Sequence, residues 1–70
     1  MITYYFNDTV DDKGRHEVHE RTCSYIPGSS NRTEIGIYSN CHEAIQSAAK
    51  SYPWKEFDGC YWCSRECHKG

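Results

Sequence analysis

Five cysteines and four histidines in a 70-residue chain constrain its fold more than any other feature of the sequence. A chain this short buries only about 60% of the surface that its unfolded form exposes. A core of that size supplies roughly 3–5 kcal/mol. Hydrophobic residues are 37% of the chain and charged residues 26%, so a staple is expected: disulfides, a metal or a partner chain. Disulfides persist in oxidising compartments, and an odd cysteine count leaves one thiol over if the rest pair. Residues 1–22 carry no apolar stretch behind a basic start, the mark of a secretory signal, and no run is long enough to span a bilayer. Without export, the glycosylation-type triplets at Asn7 and Asn31 carry no weight. The expectation is one thiol-reduced, cytoplasmic domain over residues 1–70, without a membrane partner.

The spacing of the cysteines and histidines points to zinc. Cys60-Tyr61-Trp62-Cys63 is a CxxC, whose two intervening residues let both thiolates face one ion. Upstream, His19-Glu20-Arg21-Thr22-Cys23 supplies a second pair. On an extended strand its members would lie about 13 Å apart, at 3.3 Å per residue. Zinc ligands at about 2.0–2.3 Å must approach far more closely, so the chain has to turn at Glu20 to Thr22. His19, Cys23, Cys60 and Cys63 then form a closed Cys₃His set of the structural type. Cys67 and His68 follow closely enough to replace an upstream ligand. His16 lies three residues from His19, on the opposite face of a strand, and reads with His42 as a surface residue. Cys41 is either a thiol activated at a helix start or an inert buried one.

Periodicity places these residues on an α+β frame of three antiparallel strands and one main helix. Ile2 to Phe6 is β-branched and aromatic, Asp11-Asp12-Lys13-Gly14 is a turn, and Arg15 to Glu20 returns as a second strand. Ile2, Tyr4 and Phe6 share a face, with Val18 opposite. Thr33 to Tyr38 is a third strand, with Ile35 and Ile37 on one face and Gly36 marking a bulge or a close approach. Asn40 caps a helix with Glu43 three residues on. Ala44, Ile45, Ala48, Ala49 and Tyr52 line its apolar side, and Pro53 ends it. Asp58-Gly59 reads as a second turn ahead of the final cysteine cluster.

His19-x₃-Cys23, the strand Ile35-Gly36-Ile37-Tyr38, the helix with Glu43-Ala44 and the CxxC at Cys60 and Cys63 occur in an order that resembles the metal-binding domain of the bacterial DNA-repair protein Ada and small Ada-like zinc proteins. The resemblance covers roughly residues 16–63 and implies a zinc-nucleated α+β fold. In Ada the first ligand is a cysteine that accepts a methyl group from DNA phosphate, and that position here is His19. Asp58, Gly59, Tyr61 and Trp62 replace the proline and basic residues typical of the family's CxxC. The metal and the architecture carry over by resemblance; methyl transfer does not.

The net charge is −2 with both signs interspersed, whereas a phosphate-binding surface concentrates basic residues. Protein is therefore the expected partner ahead of nucleic acid. Tyr61 and Trp62 are pinned between two ligands, so at least one should reach solvent, and Trp54 and Phe57 can extend that patch. The functional expectation is a non-enzymatic zinc-binding interaction module, since a Cys₃His set leaves no open catalytic position. The alternatives are a nucleic-acid-binding module or a thiol-redox or cysteine-based enzyme using Cys60 and Cys63. The oligomeric state is open.

Overall fold

The structure is a computed structural model covering residues 1–70. Its frame is a four-stranded mixed sheet with one helix across it. Strands β1 (Ile2–Asn7) and β2 (Arg15–Glu20) form the expected hairpin, with Phe6 opposite Val18 and Tyr4 opposite Glu20. The turn is closed by Asp11, whose Oδ1 accepts the Lys13 and Arg15 N–H groups at 2.9 Å. These bonds hold the Asp11 carboxyl below the usual carboxylate range, the Arg15 N–H contributing most. Gly14 follows at φ +78°, a conformation open to glycine.

β3 (Arg32–Tyr38) pairs antiparallel with the outer side of β1, and its register slips between the partners of Tyr4 and Tyr5. Tyr4 lies opposite Gly36 and Tyr5 opposite Glu34, so Ile35 is the extra residue of a bulge at Gly36. The bulge reverses the expected alternation. Ile35 and Tyr38 pack on the core, whereas Ile37 is 57% exposed; the two isoleucines do not share a face.

α1 (Cys41–Ser51) starts where the sequence places it. Asn40 Oδ1 accepts the Glu43 N–H at 3.0 Å, and the Glu43 carboxylate reaches back to Ser39 N and Oγ. Ala44 and Ala48 are buried and bring the helix close to the sheet, while Ala49 is exposed. The core is Tyr4, Phe6, Val18, Cys41, Ala44, Ala48, Phe57 and Cys67. Phe6 is its hub, with the rings of His16, Tyr52 and Phe57 edge-on at 5.1–5.5 Å.

The sheet departs from three antiparallel strands at its far edge. Residues Glu56–Gly59 form β4, which runs parallel to β2 and gives the order β3-β1-β2-β4. Asp58-Gly59 is thus strand and not turn. A parallel neighbour needs a long crossover, here β3 and α1, and local sequence carries no mark of it. The last residues wrap the β4 edge. The His68 ring lies 2.9 Å from Gly59 O through Nδ1, and Lys69 N donates to Asp58 Oδ1 at 2.6 Å. Contrary to the thiol-reduced chain expected, Cys41 and Cys67 are joined by a disulfide, with Cα atoms 6.4 Å apart. This bond ties the start of α1 to the short 3-10 turn Arg65–Cys67. No helix is long and apolar enough to cross a membrane.

Candidate metal centre

β2 carries His19 to the end of the hairpin, and the chain then reverses as expected: Cys23 N donates to Glu20 O at 3.0 Å. At the end of β4, Cys60 N donates to Val18 O at 2.9 Å, and Ser64 N closes the CxxC loop onto Cys60 O at 2.9 Å. The β2–β4 pairing therefore sets the two halves of the site side by side. One donor atom from each of His19, Cys23, Cys60 and Cys63 falls within 4.8 Å of the others. Cys23 Sγ and Cys60 Sγ lie 3.9 Å apart, and the three thiols are free. These four residues can hold a metal ion.

Local chemistry fits an ion. His19 is 1% exposed, and neither ring nitrogen has a hydrogen-bond partner. A buried imidazole without partners costs about 1–3 kcal/mol per orphaned group, a cost that coordination removes at the ligating nitrogen. Burial holds the His19 pKa below the usual histidine value, which keeps the ring neutral and able to ligate. Glu17 Oε1 stands 3.7 Å from Nε2, beyond hydrogen-bond distance. Burial also pushes the Cys63 thiol up to about 12, with the Cys23 side chain adding to the rise. Cys60 is raised as well, chiefly by burial, against the backbone N–H groups of Cys63 and Trp62. Glu20 N donates to Cys63 Sγ at 3.3 Å, the backbone donor expected around a ligating thiolate.

The other candidates lie elsewhere. Cys67 is bonded to Cys41, so it replaces no ligand, and Cys41 is neither a free reactive thiol nor an inert lone one. The His68 ring caps the β4 edge, 3.6 Å from the buried Asp58 carboxylate that Arg15 approaches at 3.7 Å. His16 is buried, contrary to a surface position. Its Nδ1 lies 2.8 Å from Asn7 O and its ring packs against both Phe6 and Phe57. His42 is exposed.

Both aromatic residues of the CxxC loop reach solvent, Trp62 at 65% and Tyr61 at 41%. Trp62 stacks on the exposed Tyr25 with ring centres 5.3 Å apart, and the Arg65 guanidinium lies over Tyr61 at 4.9 Å. Tyr25 comes from the loop after Cys23 and was not singled out by the sequence, because only the metal-site turn brings it to Trp62. Phe57 belongs to the core and Trp54 packs against Tyr52, so neither extends this cluster. Comparison with protein-family models, curated proteins and solved structures finds no match in any of the three.

Proposed function

We propose that this chain is a zinc-stapled, Ada-like, non-enzymatic interaction module, and that the aromatic cluster on its metal loop engages a protein partner; the Cys41–Cys67 disulfide counts against the thiol-reduced cytoplasmic setting. The reading rests on one observation above the rest: three free thiols and a neutral, partnerless histidine converge in a largely buried cluster. Tetrahedral zinc with bonds of about 2.3 Å to sulfur keeps its thiolates about 3.8 Å apart, in line with the 3.9 Å between Cys23 and Cys60. Bound there, zinc supplies folding free energy, and His19, Cys23, Cys60 and Cys63 fill its coordination sphere. Thiol pKa values raised by burial are the opposite of what an attacking cysteine needs, which counts against redox or transfer chemistry. Tyr25, Tyr61 and Trp62 sit on two loops that a metal at this site makes rigid, so binding orders little, and such aromatics make hot spots. A nucleic-acid reading has one observation in its favour, because an arginine over an aromatic ring beside a second stack also suits bases. The net charge of −2 weighs against it.

The test compares the wild type with Trp62→Ala. The variant should keep its zinc and its amide NMR dispersion but lose the proteins that the wild type retains from a lysate of its source cells. Single-stranded oligonucleotides should leave wild-type tryptophan fluorescence unchanged. Undiminished capture by Trp62→Ala, or quenching by oligonucleotides, contradicts the proposal.

A further inference from the structure

A second group of ligand-type side chains lies on the opposite flank of the C-terminal turn. Cys41, His42 and Cys67 bring donor atoms within 4.8 Å of one another, and Glu66 Oε1 is 3.8 Å from Cys41 Sγ. Once the disulfide is reduced, two thiols and an imidazole are three converging donors of the types that zinc takes, and the Glu66 carboxylate stands beside Cys41 for a fourth position. His42, Glu66 and Cys67 line a cleft of about 320 Å³ between α1 and the C-terminal turn, together with Ile45, Ala49 and His68. An aqueous ion therefore has a way in.

The disulfide does not by itself hold this arrangement. Cys67 is fixed by the segment around it: Cys67 N donates to Ser64 O, the His68 ring contacts Gly59 O, and Lys69 N is bonded to Asp58. Cys41 is fixed by the capped start of α1. Breaking the S–S bond leaves both sulfurs facing each other with His42 and Glu66 alongside. Zinc requires them about 3.8 Å apart, which side-chain rotation provides while the Cα atoms stay near their 6.4 Å separation. The helix N-terminus favours negative charge on Cys41.

We propose that Cys41, His42 and Cys67, with Glu66 beside Cys41, form a second, redox-gated metal site that takes a divalent, borderline-soft cation of the zinc type once the disulfide is reduced. A dithiol reductant delivers two electrons and two protons to the S–S bond and departs as its own disulfide. The two thiols formed then lose their protons as two metal–sulfur bonds form. The staple between α1 and the C-terminal turn is thus kept in both redox states, covalent in one and coordinate in the other. This inference goes beyond the proposed function and does not depend on the His19 site.

The test loads the full chain with zinc in its oxidised form and after reduction by a phosphine, and counts bound metal by native mass spectrometry. The reduced chain should carry one more zinc than the oxidised chain. His42→Ala, which keeps the disulfide, should lose or weaken that extra zinc, and the Cys41→Ser/Cys67→Ser double variant should bind the same number in both conditions. An equal count for the two forms of the wild type overturns the proposal, as does an extra zinc that survives in the double variant. The count in the oxidised chain reports the His19 site alone, so failure of that site is read separately.

Discussion

The His19 ring is shielded from water, and no protein group is hydrogen-bonded to either of its nitrogens. A neutral histidine is ready to ligate, whereas Cys60 and Cys63 hold their protons above the ordinary thiol range. Zinc binding near pH 7 should therefore expel at least two thiol protons and none from His19, and affinity should fall as pH falls. Titration calorimetry in two buffers of different ionisation enthalpy measures this directly; binding without proton release would contradict it. Cys60→Ser and Cys63→Ser should each abolish folding, and His19→Ala should weaken zinc binding strongly, read from metal content and amide dispersion. These residues were legible in the sequence because ligand spacing is local: CxxC and His-x₃-Cys each fix a pair. Burial is not local, and so His16, which packs against two phenylalanines, passes for a surface residue.

Among the elements, the hairpin and the helix declare themselves through turn and capping residues that act within a few positions. β4 does not. Four residues containing one large apolar side chain show no strand periodicity, and the strand forms because β2 offers a free edge. Gly59 is the residue on which this packing turns. A Cβ there would meet Ser64 O at 2.4 Å and Cys67 Cβ at 2.6 Å, so the CxxC loop and the C-terminal turn can close over β4 only if the position is bare. Gly59→Ala should cost about 1–3 kcal/mol or more, the range for overpacking a tight core, read from the denaturation midpoint. An unchanged midpoint would show that the turn can move away. In the same way, the bulge at Ile35 was suggested by Gly36, but its effect on which isoleucine is buried depends on pairing with β1.

At the scale of the whole molecule, a disulfide and a candidate metal site link distant parts of the chain around a small core, and only the second was visible in advance. The candidate ligands come as two spaced pairs. The disulfide joins cysteines 26 positions apart, and nothing local distinguishes Cys41 or Cys67 as partners. Together the two account for all five cysteines, which resolves the odd count: two in the disulfide and three free at the candidate metal site. Under oxidising conditions Cys41→Ser should lower stability by about 3–4 kcal/mol, the loop-entropy estimate for a closure of this length, where a lone buried cysteine would cost little. Equal denaturation midpoints for wild type and variant would argue that the bond contributes nothing.

The central claim is that zinc at His19, Cys23, Cys60 and Cys63 holds the fold together. Structural zinc sites supply apparent binding energies of about 10–16 kcal/mol, well above the roughly 3–5 kcal/mol available to a core of this size. The most direct measurement follows the amide NMR spectrum of the oxidised chain, with its metal content determined by native mass spectrometry, before and after removal of metal by a strong chelator. One zinc per chain, with dispersion that collapses on chelation and returns when zinc is restored, is the predicted result. A metal-free chain that keeps sharp, dispersed amide signals would contradict the account.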